Sequence, residues 1–228
     1  MKIENVAMIG MGAIGTAFGA GLYETYQDSF FVIATGSRAE RIEREGLTLN
    51  ERKYFPQVIS GDTGKIADLI LLCVKNYDLP QAITDITGCV GPQTILLPLL
   101  NGITARDELK AAFPNNTVLY GFAMGIDAVR ENGVVANTSS GMIRFGEADN
   151  REPSETVLSV KKILDEAKVN NEVPEDMLRA MWNKWMTNVG LNQVTALSGA
   201  VYGACAQEDI KQLIREAMLE VVSLAEAA

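Results

Sequence analysis

The stretch VAMIGMGAIGTAFG, residues 6–19, places three glycines in the spacing G-x-G-x-x-G. An apolar run precedes them and a helix-like segment follows, which is the context in which this spacing binds a dinucleotide. We expect Gly10 to allow the tight turn, Gly12 to let the backbone approach a pyrophosphate, and Gly15 to let helix and strand pack closely. A turn that binds no ligand is the alternative.

The first half of the chain alternates between apolar strand-like runs and helix-like segments. The predicted strands are 5–9, 30–35, 68–74, 94–99 and 117–123, and the predicted helices are 13–27, 38–45, 78–88 and 104–112. Apolar strands separated by helices indicate a parallel sheet covered on both faces. The sequence therefore predicts an α/β, Rossmann-type, doubly wound and mostly parallel sheet, with Ala13 and Ile14 at a helix N-terminus that faces an anion.

The second half changes from this alternation to a hairpin and then to helices. The pair Asn132-Gly133 lies between short alternating runs and predicts an antiparallel hairpin. A helix at 153–168 and a short strand or linker at 168–173 should follow. We therefore expect a cofactor-binding domain at 1–168 and the start of an all-helical domain at 169–228.

Two helices are predicted in that second domain. One runs from 174 to 199 with Pro174 in its first turn, and another begins near Gln207. The last residues are still amphipathic and carry no stop signal, so we expect the chain either to continue naturally beyond Ala228 or to be unusually short for its kind.

Composition excludes several classes of function. The 228 residues carry a net charge of −9, which argues against nucleic acid and anionic membranes as partners. There is no histidine, and the three cysteines lack metal-site or disulfide spacing, so no metal site is expected. The longest apolar run is too short to span a bilayer and no signal peptide precedes it, so a cytoplasmic location is expected.

The end of the second predicted strand indicates which dinucleotide is bound. An acidic residue there would bind the ribose hydroxyls of NAD, but the segment ATGSRAER, residues 34–41, has no acidic residue before Glu40. Arg38 instead suits the 2′-phosphate of NADP, which a guanidinium can bind through two hydrogen bonds. The alternative is that Arg38 is a solvated residue at the start of a surface helix.

Polar side chains follow two further apolar strands. Lys75 comes directly after the third predicted strand and Asn101 after the fourth. Ligands of doubly wound sheets lie beyond the carboxyl ends of the strands, so both residues are candidates for the site. A lysine extending to water and an ordinary Asn-Gly turn are the alternatives.

The segment NKWMTNVGLNQ, residues 183–193, places Lys184, Asn188 and Asn192 four residues apart among apolar neighbours. On an α-helix these three form a polar stripe. A stripe on a buried helix should face a partner or a site, whereas a solvated helix edge is the alternative. Reduction of a ketone needs a proton donor, and a partly desolvated lysine can supply it.

Four segments together resemble the ketopantoate reductases (2-dehydropantoate 2-reductases). They are MIGMGAIG, LLCVKNYD, LLPLLNGI and MWNKWMTNVGLNQVTAL, in this order along the chain. The resemblance implies a Rossmann domain, a helical domain and a cleft between them. It also implies NADPH-dependent reduction of 2-ketopantoate, a small 2-keto acid, to pantoate on the route to pantothenate and coenzyme A, with a homodimer among the expected assemblies.

The resemblance also implies roles for individual residues. Lys184 matches the catalytic acid, and Asn188 and Asn192 match substrate-binding asparagines. Asn101 matches the asparagine beside nicotinamide and substrate, and Lys75 matches a lysine that contacts the cofactor. In the same way, Arg38 matches the arginine of the 2′-phosphate.

Two departures from the family pattern leave alternatives open. The segment LNGIT, residues 100–104, replaces the usual Q-N-G-x-G, and no residue up to Ala228 matches the serine and glutamate that complete the family's substrate site. Reduction of another 2-keto acid, a non-catalytic NADPH-binding regulator, and another dehydrogenase such as a 3-hydroxyacid or opine enzyme are the alternatives.

Overall fold

The computed structural model describes residues 2–61 and 63–227. It divides into two compact units, Met1–Met177 and Leu178–Ala228. The division falls later than the predicted domain boundary at 168/169 because residues 171–172 pair with a strand of the first unit. The assignment of domains to cofactor and substrate stays a prediction.

The elements of the first unit alternate as the sequence predicts for an α/β fold. Its strands are β1 (Val6–Ile9), β2 (Phe30–Ile33), β3 (Leu47–Leu49), β4 (Arg52–Tyr54), β5 (Gln57–Ile59), β6 (Ala67–Leu72), β7 (Val90–Pro98), β8 (Thr117–Val118), β9 (Tyr120–Met124), β10 (Ala128–Glu131), β11 (Val134–Asn137), β12 (Met142–Gly146) and β13 (Asn171–Glu172). Its helices are α1 (Ala13–Tyr26), α2 (Gly36–Glu45), α3 (Leu79–Ile86), α4 (Ala105–Ala112) and α5 (Glu155–Glu166).

The central sheet is parallel throughout and has the order β5-β2-β1-β6-β7-β8 among the described residues. Counted within this sheet, the order is 3-2-1-4-5-6, that of a Rossmann fold. Alternate residues of β1 belong to different hydrophobic cores: Val6 and Met8 to one, Ala7 and Ile9 to the other. The predicted parallel sheet with two covered faces is confirmed, and its order reverses between β1 and β6.

Two small sheets accompany the central one. The order β10-β11-β3-β4 includes the predicted hairpin, whose turn residues Asn132 and Gly133 both have positive φ, at 49° and 84°. The second small sheet has the order β13-β12-β9. The predicted strand 117–123 is wrong as a single strand, because its first part pairs with β7 and its second part pairs with β12.

The predicted helix 174–199 begins later and is not uniformly α-helical. Residues 174–176 stay outside the helix because the Asn150 side chain donates to the Pro174 carbonyl and the Asn150 N–H donates to the Glu175 carbonyl, both at 2.8 Å. The helix α6 therefore spans Met177–Thr187, followed by a π-helical segment at Asn188–Gln193 and α7 at Val194–Ser198. Gly199 ends this run in the left-handed conformation.

The second unit is completed by a 3₁₀ segment, Tyr202–Ala206, and by α8, Glu208–Ala227. A β-carbon on Gly190 would lie 2.6 Å from Cγ of Met218, so this glycine allows the π-helical segment to approach α8 closely. Ala228, on which the expectation of an unfinished last helix rests, lies outside the described residues.

Candidate functional site

The glycine loop connects β1 to α1 with a backbone that only glycine tolerates at its first position. Gly10 has φ of 91°, and a β-carbon there would lie 2.6 Å from the carbonyl carbon of Cys73. The Gly12 N–H donates to the Gly10 carbonyl at 2.8 Å, which closes the turn. The end of β1 is thereby held against the residue that follows β6.

The other two glycines of the loop face different surroundings. A β-carbon on Gly15 would lie 2.3 Å from the Gly10 carbonyl oxygen, whereas one on Gly12 would meet no atom within 4 Å. Helix α1 begins without a side-chain cap and has no acidic residue in its first turn. Its first N–H groups, from Ala13 onward, therefore present a partial positive charge beside the open side of Gly12, which fits a bound anion.

Two further strand ends lie at the same edge of the sheet. Lys75 follows β6 and is exposed, and Asn101 follows β7 and is also exposed. Both positions are close to where the strand order reverses between β1 and β6. Ligands of open α/β sheets bind at this point of the topology.

A cavity of about 590 Å³ unites these features within the first unit. Its lining includes seven of the predicted site residues: Gly10, Gly12, Ala13, Ile14, Arg38, Lys75 and Asn101. Gly15 does not line the cavity and contributes through packing. Four basic side chains but only one acidic side chain, Asp78, line the cavity in a chain whose net charge is −9.

Three of the four basic side chains are arginines: Arg38 and Arg41 on α2, and Arg130 on β10. Arg130 Nη1 donates a hydrogen bond of 3.0 Å to the Met11 carbonyl oxygen, which ties β10 to the glycine loop. Partial desolvation lowers the pKa of Arg130, and the charges of Arg41 and Arg38 lower it further. The positive charges of Arg41 and Arg38 therefore act on the Arg130 guanidinium within this cavity.

A second cavity of about 250 Å³ adjoins the ends of β1 and β2. Its lining includes Ile9, Ile33 and Ala34, and it shares Arg38, Val74 and Asp78 with the larger cavity. Arg38 thus lies where this recess, which has both polar and apolar lining residues, meets the glycine loop's cavity. This suits an arginine that binds a phosphate on a ribose, between a base and a pyrophosphate.

The remaining predicted site residues, Lys184, Asn188 and Asn192, belong to the second unit. Burial lowers the pKa of the half-buried Lys184 ammonium. Asn192 Nδ2 donates to Asn188 Oδ1 at 3.2 Å, and the Tyr202 hydroxyl donates to Asn192 Oδ1 at 2.5 Å. The two amides thus contact each other, although the π-helical segment replaces the predicted α-helical stripe.

Sequence reasoning assigned no role to three residues of these groups, although Arg41 lies in the same segment as Arg38. Arg41 follows Arg38 by three positions on α2, so helical spacing could have identified it. Arg130 and Tyr202 carried no such signal, because the first depends on where the hairpin packs and the second on the turn after Gly199.

The described residues include neither a candidate membrane span nor a candidate metal site. No helix in that part of the chain is long and apolar enough to cross a membrane. No group of three or more histidine, cysteine, aspartate or glutamate side chains there could hold a metal ion.

The parallel sheet, glycine loop and cavity at the strand-order reversal define a Rossmann-type nucleotide-binding protein. Residues 6–150 match the model of the ketopantoate reductase PanE/ApbA family, and residues 176–228 match the model of that family's C-terminal part. The chain belongs to the ketopantoate reductase PanE/ApbA family. It is an enzyme of the oxidoreductase class, as its relatives are.

Individual relatives agree with this membership. A 2-dehydropantoate 2-reductase of Streptococcus pyogenes serotype M3 is 28% identical over 97% of this chain and 74% of its own. The crystal structure of 2-dehydropantoate 2-reductase from Methylococcus capsulatus has a TM-score of 0.81 at 26% identity, covering 98% of this chain and 74% of its own. A D-mandelate dehydrogenase in complex with NADH shares the fold, with a TM-score of 0.85 at 20% identity over 98% of this chain and 73% of its own.

Proposed function

We propose that this chain catalyses the NADPH-dependent reduction of 2-dehydropantoate to pantoate, a step toward pantothenate and coenzyme A. The observation that carries the proposal is the 590 Å³ cavity, where the glycine loop, Lys75, Asn101 and an arginine group meet. Family membership and the 28% identical S. pyogenes reductase support the choice of substrate. In this proposal 1–168 binds the cofactor and 169–228 begins the substrate domain.

The residues of the first unit fit a nicotinamide dinucleotide. The open side of Gly12 and the first turn of α1 suit the pyrophosphate, and Arg38 suits the 2′-phosphate that distinguishes NADPH from NADH. Lys75 and Asn101 would contact the cofactor at the end of the cavity formed by β6 and β7. When bound, NADPH supplies the hydride that reduces the carbonyl carbon.

Lys184 would donate the proton that the carbonyl oxygen takes up as its carbon is reduced to an alcohol. An ammonium whose pKa is lowered by burial releases a proton more readily, and its charge stabilises the developing alkoxide. Asn188, Asn192 and Asn101 would bind oxygen atoms of the substrate through their amides without adding charge. A cytoplasmic, homodimeric enzyme stays a prediction.

The decisive experiment is an assay of NADPH oxidation with 2-dehydropantoate and a panel of other 2-keto acids, including an aromatic one. We expect 2-dehydropantoate to give the highest kcat/KM. Preference for another 2-keto acid would overturn the substrate while retaining the reaction class. Tight NADPH binding without turnover of any keto acid would instead support the non-catalytic alternative.

A further inference from the structure

The three arginines of the large cavity come from two separate parts of the first unit. Arg38 and Arg41 are three residues apart on α2, and Arg130 is on β10 of the small β10-β11-β3-β4 sheet. Arg41 and Arg130 are half-buried, and Arg38 is exposed. Their convergence therefore depends on how the hairpin packs and does not follow from local sequence.

None of the three forms an ion pair with an acidic side chain within residues 2–61 and 63–227. The chain has 29 acidic and 20 basic residues, so these arginines lack ion pairs although carboxylates are in excess. Guanidinium groups that line one cavity without forming ion pairs are stabilised when an anion binds among them.

We propose that Arg130, with Arg41, completes the binding site that Arg38 begins for a ribose 2′-phosphate, and so helps to determine the preference for NADPH. This inference rests on the proposed function. Arg130 uses one of its five N–H donors on the Met11 carbonyl, which fixes the guanidinium beside the glycine loop and leaves the other donors for a phosphate.

A phosphate on the ribose fits this arginine group better than the pyrophosphate does. The backbone N–H groups at the start of α1 already suit the pyrophosphate, beside the open side of Gly12. Arg38 lies at the junction of the two cavities, where the ribose of an adenine nucleotide would lie. A phosphate monoester carries about −1.5 to −2 charges near pH 7, which matches several guanidinium groups.

The test measures dissociation constants of the whole 228-residue chain by calorimetry with NADPH, NADH, 2′,5′-ADP and 5′-AMP. We expect Arg130→Met to weaken NADPH and 2′,5′-ADP by about tenfold or more, as loss of a charge-assisted hydrogen bond does, and NADH and 5′-AMP by less than about threefold. Arg130→Lys, which keeps the charge but not the planar donor pair, should give an intermediate loss.

The matched control is Arg52→Met, on β4 of the same small sheet. Arg52 is exposed, pairs with Glu24 at 2.8 Å and does not line the cavity, so all four ligands should bind as before. Thermal melts show whether each variant folds. If Arg130→Met does not fold, the affinities of Arg130→Lys for the four ligands are the test. Weaker binding of NADPH and 2′,5′-ADP by Arg130→Lys, with unchanged binding of NADH and 5′-AMP, would support the inference.

Equal weakening of all four ligands would overturn the inference, since Arg130 would then only shape the glycine loop. Unchanged affinities would overturn it as well. If Arg38→Ala loses 2′-phosphate selectivity and Arg130→Met does not, this inference fails while the proposed function stands. If the unsubstituted chain prefers NADH or binds neither dinucleotide, the NADPH assignment itself fails, and this inference fails with it.

Discussion

Gly15 lies so close to Gly10 that a β-carbon on Gly15 would stand 2.3 Å from the Gly10 carbonyl oxygen, whereas one on Gly12 would meet no atom within 4 Å. Two glycines of one motif thus serve different purposes. The packing of α1 against the strand requires Gly15, and the approach of a ligand to the loop requires Gly12.

Gly15→Ala and Gly12→Ala should therefore fail in different ways. We expect Gly15→Ala to lower the free energy of unfolding by about 1–3 kcal/mol, because backbone must move to admit the methyl group. Gly12→Ala should change stability by less than about 0.5 kcal/mol but weaken NADPH binding strongly. Urea unfolding and NADPH titration of both variants check this, and equal stability losses would contradict it.

Arg38→Ala should weaken NADPH much more than NADH. The guanidinium at the junction of the two cavities would bind a group that only NADPH carries, and loss of a charge-assisted hydrogen bond costs about 1.5–3 kcal/mol. Titration with both dinucleotides measures the difference. Arg44→Ala on the same helix is the control, since Arg44 pairs with Glu45 and does not line either cavity. Equal effects on both dinucleotides would refute the 2′-phosphate role.

Lys184→Ala should reduce the rate of the chemical step by roughly 10²- to 10⁴-fold, the usual contribution of a positioned general acid. NADPH affinity should change little, because every residue of the cavity assigned to the dinucleotide belongs to the first unit. Single-turnover kinetics and an NADPH titration separate the two effects. Near-normal turnover would exclude Lys184 as the proton donor.

The pH dependence of reduction should follow the protonation of Lys184. Burial lowers its pKa below the ordinary lysine value of 10.5, so the donor is present at low pH and is lost as pH rises through the lowered pKa. The kcat for reduction should then fall on the alkaline side with a midpoint below 10.5, and the reverse oxidation should rise there. A profile that is flat up to pH 10.5, or an unchanged midpoint in Lys184→Ala, would speak against this assignment.

The sequence was sufficient for the four inner strands of the central sheet, because these strands and the helices between them carry local signals. Apolar runs predicted β1, β2, β6 and β7, and the glycine spacing located the cavity. The short strands β3, β4 and β5 were missed, since three-residue strands carry too little periodicity to recognise.

The site was predictable to the extent that its residues follow strand ends. Lys75 and Asn101 could be placed at one edge of the sheet because parallel strands end there together. Arg130 could not, since it reaches the cavity through the packing of a hairpin distant in sequence. The π-helical segment was also missed, because four-residue spacing of Lys184, Asn188 and Asn192 is what an α-helix shows.

Tyr202 should act as a positioning residue for the paired amides. Its hydroxyl donates to Asn192 Oδ1 at 2.5 Å, and Asn192 Nδ2 donates to Asn188 Oδ1 at 3.2 Å, so the hydroxyl selects which way the Asn192 amide points. Tyr202→Phe removes the hydroxyl and with it this constraint, but it leaves the aromatic ring in place. We expect KM for the keto acid to rise severalfold, about 0.5–1.5 kcal/mol for one hydrogen bond, while NADPH affinity and thermal stability stay unchanged.

The matched control is Tyr26→Phe, which removes a hydroxyl that donates to Glu166 at 2.8 Å in the first unit. The KM for the keto acid should be unchanged in Tyr26→Phe. This control shows whether a raised KM comes from losing the hydrogen bond to Asn192 or from losing any tyrosine hydroxyl. A change confined to kcat in Tyr202→Phe, or a parallel loss of melting temperature, would show that Tyr202 does not orient the amides. Asn192→Asp can still accept a hydrogen bond from Tyr202 but cannot donate one to Asn188. A normal KM in this variant would contradict a role for the hydrogen bond between Asn192 and Asn188 in substrate binding.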